Sequence, residues 1–243
     1  MTAVAPTGVQ PPGYGAVSAS RIAGAAGLTF GVLSLIGIAS IGHFPKSTQA
    51  GSAFVSFITD HRSSILTTNV LLSLANGALL IFFAYLRTLL SAGGRSSTLP
   101  LLAFGASVLF CALGAAGAML PASLAYYGTA GIDPTLVRLL VTAYFATNAF
   151  SALPVALAVG AVGLSSARGG ILPRWFALAS IVVALPQLGA TLTLLGAGDF
   201  FSPEGDYGTA VLFGSLTIWA LAASVLLLAR AGRQRRVAAA LSD

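Results

Sequence analysis

Residues 99–120, LPLLAFGASVLFCALGAAGAML, decide the fold class. This stretch contains no charged residue, and it is longer than the ~20 residues that a helix needs to cross ~30 Å of hydrocarbon. Five further apolar stretches of similar length occupy residues 22–41, 65–86, 136–162, 171–195 and 210–229. The sequence therefore predicts an all-α fold, a polytopic membrane helix bundle with six transmembrane helices.

The composition of the 243 residues indicates the same class. Charged residues make up 7% of the chain and hydrophobic residues 56%, whereas a soluble domain carries ~25% charged residues. So few charges cannot cover a surface that faces water, and lipid must solvate most side chains. We expect one membrane domain at 21–230, a disordered N-terminal tail at 1–20 that is uncharged and rich in proline and glycine, and a basic C-terminal tail at 231–243.

The basic residues are distributed unevenly between the two ends of the predicted helices. Six crossings place the N-terminus, the second and fourth connections and the C-terminus on one side. Nine of the twelve basic residues lie there: Arg21, Arg87, Arg95, Arg168, Arg174, Arg230, Arg233, Arg235 and Arg236. The other side carries Lys46, Arg62 and Arg138 with most of the acidic residues: Asp60, Asp133, Asp199, Glu204 and Asp206. Because short loops rich in Lys and Arg stay in the cytoplasm, the bundle is predicted to be N-in and C-in.

The net charge of +6 could also suggest binding to nucleic acid, since basic patches follow phosphate groups. Here the basic residues lie at helix ends and share no motif. Membrane topology therefore accounts for the charge, and no nucleic-acid partner is expected.

The connection between the first two apolar stretches contains an amphipathic segment. Ala50, Phe54, Phe57, Ile58 and His61 recur on one helical face, while serines and threonines occupy the rest of the wheel. This pattern predicts a short helix at about 48–61 that lies on the outer membrane face or caps the bundle. Its role stays open between a lid that shields helix ends and a gate for a substrate.

Glycines form small faces on two of the predicted helices. Gly27 and Gly31 fit the small-xxx-small pattern, and Gly114 and Gly117 form a similar face in the third helix. Such faces let helix backbones approach closely, either within one chain or between two copies. The sequence favours internal packing and leaves a homo-oligomer open.

Amide and hydroxyl side chains inside the apolar stretches are the candidates for a functional site. Three sets share helical faces: Asn69, Ser73 and Asn76; Tyr144, Thr147, Asn148 and Ser151; Gln187 and Thr191. Pro154 and Pro186 lie beside the second and third sets, and each frees a backbone carbonyl four residues earlier. Because several of these side chains fall near the bilayer midplane, we predict a polar pocket with the following members: Asn69, Asn76, Tyr144, Asn148 and Gln187.

Two interpretations of this pocket stay open. In the structural one, the polar groups hydrogen-bond across helices and compensate for the prolines, at ~0.6–2 kcal/mol per contact. In the functional one, interrupted helices around a polar pocket resemble the midplane sites of transporters. Apart from Arg138 and Arg174 close to helix ends, the apolar stretches contain no Asp, Glu, His, Lys or Arg, which argues against an ion-coupled pump because such pumps place ionisable groups within the membrane.

No catalytic signature occurs in the sequence. It lacks a nucleophile elbow, a His-Glu-x-x-His zinc motif and a Cys-x-x-Cys pair, and its single cysteine is Cys111. The densest ionisable group is Asp60, His61 and Arg62, an outer-face candidate for acid–base chemistry or for a lipid headgroup, although interfacial anchoring explains it more simply. We therefore expect that the protein is not an enzyme and has no catalytic, cofactor-binding or metal-binding residues.

Four short motifs are spread along the chain. They are Arg-Ile-Ala-Gly at 21–24, Phe-Ile-Thr-Asp-His-Arg at 57–62, Leu-Pro-Arg-Trp at 172–175, and Trp219 followed by Ser224-Val225. In these motifs and in its helix layout the chain resembles a family of uncharacterised six-helix integral membrane proteins of actinobacteria, a domain of unknown function. The resemblance covers nearly the whole membrane domain and implies a six-helix fold in a bacterial plasma membrane. It implies no activity.

Taken together, these features predict a multi-pass plasma-membrane protein that is a scaffold or accessory subunit, or that binds an apolar small molecule or lipid. The alternative is a small-molecule transporter or permease with a polar site at the midplane. The expected partners are the lipid bilayer and a lipid or apolar metabolite.

Overall fold

The structure is a computed structural model that describes residues 14–92, 98–169, 172–195, 200–203 and 205–240. It contains α1 (Tyr14–Ile41), α2 (Gly51–Asp60), α3 (Arg62–Ala92), α4 (Thr98–Tyr127), α5 (Pro134–Gly169), α6 (Arg174–Leu192), α7 (Asp206–Thr209) and α8 (Leu216–Ala240). A short 3₁₀ turn, Thr193–Leu195, extends α6, and a π-helical segment, Ala210–Ser215, joins α7 to α8. Over the described ranges, six helices are long and apolar enough to cross a membrane, which confirms the predicted all-α bundle.

The membrane helices form a closed sequence of neighbours. α1 lies beside α3 and α8, α4 lies between α3 and α5, and α6 lies between α5 and the π-helical segment. α1 and α8 run antiparallel, because Gly31 of α1 packs against Leu221 whereas Gly24 packs against Leu228. The first and last helices therefore begin and end at the same end of the bundle, here called the termini end. The opposite end, which carries α2, is called the α2 end.

The charge asymmetry expected from the sequence is a property of the folded bundle. Within the described residues, the basic side chains at the termini end are Arg21, Arg87, Arg168, Arg174, Arg230, Arg233, Arg235 and Arg236. Those at the α2 end are Lys46, Arg62 and Arg138, which lie there with Asp60 and Asp133. Arg95, Asp199 and Glu204 lie outside the described residues.

Local signals set several helix boundaries. The side chain of Asp133 accepts a hydrogen bond from the backbone N–H of Thr135 at 2.7 Å, so this acid caps α5 where the sequence predicts a helix start. α4 ends at Tyr127 because Gly128 follows with φ +86°, a conformation that favours glycine. Pro121 lies inside α4, so that helix continues past the predicted end at 120.

The half of the bundle toward the termini end is packed with aromatic side chains. The Trp219 ring stacks on Phe83 and Phe176 at centroid distances of 6.0 and 5.8 Å, and Phe82 meets its edge. The Trp219 indole N–H donates to the Ser180 hydroxyl at 2.9 Å, so its one polar atom is satisfied. These four rings, Phe82, Phe83, Phe176 and Trp219, are called the aromatic cluster below.

α2 caps the opposite end of the bundle. Phe54 and Ile58 are each 1% exposed and pack with Val137 and Val141 of α5. One of the two placements predicted for this amphipathic segment, a cap on the helix bundle, is therefore observed. The buried face follows from the i, i+4 spacing of its apolar residues.

Two predicted boundaries differ from the structure. α1 begins at Tyr14, within the segment 1–20 expected to be a disordered tail, and α8 continues to Ala240, within the predicted tail 231–243. Helix propagation along an amide backbone is cooperative, so a packed helix extends beyond its apolar stretch. Residues 1–13 and 241–243 lie outside the described residues.

The glycine faces serve internal packing. Gly27 lies against Ser224 of α8 and Phe82 of α3, and Gly117 of α4 lies against Thr147 of α5. The small residues thus bring neighbouring helices of one chain close together, as small-xxx-small faces do in membranes.

Candidate functional site

Two cavities lie in the half of the bundle toward the α2 end. The larger has a volume of about 690 Å³ and lies between α1, α3, α4 and α5. The smaller has a volume of about 320 Å³ and extends from the end of α1 to the segment that precedes α8. The two cavities share part of their lining, which is formed by Leu72, Tyr144, Asn148 and Phe213. Both volumes fall in the range of small-molecule sites.

Four of the five residues of the predicted polar pocket line the larger cavity. They are Asn69, Asn76, Tyr144 and Asn148, and Ser73 lies with them. The helical faces read from the sequence thus bring α3 and α5 side chains to one space. The fifth residue, Gln187, lines neither of these two cavities.

Asn148 occupies the wall that the cavities share. Its side chain is only 7% exposed, and it interacts with the side chain of Tyr144 one turn earlier on α5. A hydrogen bond also connects Asn148 to the following turn of α5, because the Ser151 hydroxyl donates to the Asn148 backbone carbonyl at 2.6 Å. Asn148 therefore offers a buried amide to both cavities from a helix position that packing holds in place.

The asparagines of α3 complete the polar part of the larger cavity. The Asn69 amide donates to the Ile65 carbonyl of its own helix at 2.9 Å. The Asn76 backbone carbonyl accepts a weak hydrogen bond from the Cys111 thiol of α4 at 3.7 Å, which links the two helices. The Asn76 side-chain amide lies near Gly114 and lines the cavity.

The larger cavity opens sideways between α3 and α4. Val70, Leu74 and Met119 line it and are 61%, 59% and 65% exposed, so they face the hydrocarbon in a membrane. This opening, lined by these three residues, is called the lateral window. Apolar side chains at its rim allow a lipid chain to enter without crossing water.

Two polar contacts bound the lateral window. Toward the α2 end, the Arg62 guanidinium donates to the backbone carbonyl of Tyr126 at 2.9 Å. Toward the middle of the bundle, the contact between Cys111 and Asn76 joins the same two helices. Along α3 these contacts are ~20 Å apart at 1.5 Å per residue, a length suited to an extended chain.

The smaller cavity opens at the α2 end. Its lining includes the exposed residues Gly42 and His43, together with Phe44, which packs on Tyr144 at a centroid distance of 5.9 Å. Thr68 also lines it and donates to the Gly37 carbonyl at 3.1 Å, which holds α3 against α1. This cavity is therefore more polar at its mouth than the lateral window is.

Gln187 is fully buried and stabilises the π-helical segment. Its side-chain N–H groups donate to the Val211 carbonyl at 2.7 Å and to the Ser215 hydroxyl at 2.9 Å. A π turn leaves backbone carbonyls without their usual helical donors, and Gln187 satisfies one of them. The side-chain oxygens of Gln187 and of Thr191, one turn later, have no hydrogen-bond partner among the described residues.

No sequence pattern indicated the π-helical segment. Phe213 lies within it and lines both cavities, yet the pattern of the last apolar stretch is that of an ordinary helix. The available signal was Gln187 itself, because a fully buried amide in an apolar helix needs carbonyl or hydroxyl partners on a neighbour.

The outer-face candidates lie together where α2 meets α3. Asp60, His61 and Arg62 are all exposed at the junction of α2 and α3. The His61 ring stacks on Phe57 at 4.4 Å, and Arg62 makes its contact with Tyr126, so both anchor helix ends. In the part of the chain that the structure describes, no group of three His, Cys, Asp or Glu residues could hold a metal ion.

Comparison of the chain with known protein families, with curated proteins and with solved structures finds no match.

Proposed function

We propose that this membrane protein binds a lipid or another apolar small molecule in the larger cavity. The observation that carries the proposal is the lateral window, where exposed apolar residues lead from the lipid-facing surface into a cavity of about 690 Å³. Sites for small molecules are mostly apolar with a few placed polar groups, and the asparagines supply such groups here. A ligand that partitions into the bilayer reaches this site by diffusion within the membrane.

The packing beyond the cavity supports binding over passage. The aromatic cluster occupies the half of the bundle toward the termini end, and Phe82, Phe83 and Trp219 are each at most 3% exposed. Close-packed interiors leave few voids, so the aromatic cluster blocks a ligand in the larger cavity from moving on toward the termini end.

The proposal is tested by filling the cavity. Ala118 of α4 lines the larger cavity, whereas Ala112 on the same helix is exposed and lines neither cavity. We expect Ala118→Phe to reduce the lipid that co-purifies with the protein by at least about tenfold, because the ring occupies the ligand's volume. Mass spectrometry of lipid extracts from detergent-purified protein measures the amount.

Ala112→Phe is the matched control, since it adds the same ring on the lipid-facing side of the same helix. It should retain the bound lipid at the wild-type level. Equal amounts of bound lipid in both variants and in the wild type, or none in any of them, would contradict the proposal.

A second candidate function is transport of the same ligand. The observation that favours it is the wall shared by the two cavities, which separates the lateral window from the opening at the α2 end by a few side chains. Displacement of Phe213 and Asn148 would join the cavities into one path. A flux measurement in proteoliposomes with the co-purified ligand distinguishes a carrier from a binding protein.

We further propose that the protein resides in a bacterial plasma membrane with both termini cytoplasmic. The basic residues at the termini end support this orientation through the positive-inside rule. The resemblance to actinobacterial membrane proteins supports the choice of membrane. The proposed role is binding and involves no reaction.

A further inference from the structure

The linings of the two cavities contain no formal charge that could pair with a charged ligand. Of the described residues that line them, none is Lys, Arg, Asp or Glu, and the ionisable ones are His43, Tyr126 and Tyr144. His43 is exposed at the mouth of the smaller cavity, beyond the end of α1, whereas Phe30 and Ser34 within α1 line the larger cavity. A charged group taken into such a space without a partner is strongly disfavoured.

The same linings are well supplied with neutral hydrogen-bonding groups. Asn148 and Tyr144 form the shared wall, and Asn76 lies on the neighbouring face of α3. An amide both donates and accepts, and a phenol does the same, so this set can satisfy hydroxyl groups on a ligand. The 7% exposure of Asn148 gives these hydrogen bonds little competition from water.

The lateral window is limited at both ends by contacts between α3 and α4. α3 and α4 are joined by the contact between Arg62 and Tyr126 at one end and by that between Cys111 and Asn76 at the other. The helices therefore cannot separate along the whole opening without breaking a hydrogen bond. An opening that is limited in this way at both ends favours a ligand with one chain over a ligand with two.

From these observations we propose that the ligand is a neutral, single-chain amphiphile. Its hydroxyl-bearing head lies against Asn148 and Tyr144, and its chain leaves through the lateral window. This inference rests on the proposed function. It adds the chemical class of the ligand and the residues that hydrogen-bond to its head, Asn148 and Tyr144. Monoacylglycerols and long-chain alcohols have this chemistry, whereas fatty acids and phospholipids carry a charge.

The test compares ligands that share a chain and differ in the head. The probes are monooleoylglycerol, oleate and lysophosphatidylcholine with an oleoyl chain, each measured for equilibrium binding to the full-length protein in nanodiscs. We expect monooleoylglycerol to bind about tenfold or more tightly than either charged probe, since a factor of ten needs only one or two neutral hydrogen bonds. Asn148→Leu should reduce the ratio of the affinity for monooleoylglycerol to that for a charged probe to near one. Ala118→Phe should abolish binding of all three probes.

A milder pair of variants keeps the test independent of folding. Tyr144→Phe removes only a hydroxyl and should lower the ratio several-fold, whereas Tyr85→Phe, at a position that lines neither cavity, should leave it unchanged. Binding that Ala118→Phe abolishes but that is equal for the three heads would overturn the inference and leave the proposed function intact. Absence of any binding sensitive to Ala118→Phe would overturn both.

Discussion

At the residue scale, Gln187 shows how one amide supports an irregular helix. It is completely buried, and its N–H groups satisfy Val211 and Ser215 in the π-helical segment. We expect Gln187→Leu to destabilise the protein by about 1–3 kcal/mol, because the Val211 carbonyl keeps only the Ser215 hydroxyl as a side-chain donor and that hydroxyl loses the donor it accepts from. The thermal unfolding midpoint of the detergent-solubilised protein measures the loss.

Gln234→Leu provides the control for this substitution. The Gln234 side-chain oxygen has no hydrogen-bond partner among the described residues, so the same exchange there should change the midpoint little. If the two variants unfold at the same temperature, Gln187 does not stabilise the π-helical segment as described.

At the element scale, α2 is held against the start of α5 by a close backbone contact. A Cβ atom added at Gly51 would overlap the backbone carbonyl of Pro134, which no side-chain rotation can relieve. We expect Gly51→Ala to move α2 away from the start of α5 and to lower the free energy of unfolding by about 1–3 kcal/mol. Differential scanning fluorimetry in detergent measures the shift.

Gly77→Ala should not destabilise the protein and serves as the control for Gly51→Ala. Gly77 lies inside α3, and an added Cβ meets no atom within 4 Å. Because alanine favours a helix interior over glycine by about 0.5–1 kcal/mol, this variant should unfold at the same or a higher temperature. Destabilisation by Gly77→Ala equal to that of Gly51→Ala would show that the contact with Pro134 is not the cause.

At the scale of the whole molecule, the alternation of helix direction separates the charges. The described arginines of α8 and of the α5–α6 junction lie at the termini end, and Thr48 lies in the connection at the α2 end. We expect a membrane-impermeant maleimide to label Thr48→Cys in intact cells. Gly232→Cys, near the end of α8, should become labelled only after the membrane is opened.

Both labelling sites are exposed, and the native Cys111 is 7% exposed within a membrane helix, so it adds little background. Labelling of Gly232→Cys in intact cells with Thr48→Cys protected would reverse the proposed orientation.

The sequence predicted part of the site because helical periodicity is a local property. The i, i+4, i+7 spacing of Asn69, Ser73 and Asn76 places them on one side of α3 whatever its neighbours are, and Tyr144 and Asn148 share a face of α5 for the same reason. In the structure these faces line one cavity. Gln187 follows the same periodicity, but its partner, the Val211 carbonyl, lies in a π-helical segment that the apolar pattern does not predict.

The six apolar stretches by themselves determined the fold class, because a backbone in hydrocarbon must satisfy its hydrogen bonds within each helix. They also determined which residues can share a face. Only the tertiary structure decided which faces meet, since the lateral window depends on how α3 and α4 are joined at Arg62 and at Cys111. Packing between helices depends on the shapes of many side chains at once, and a linear pattern does not contain those shapes.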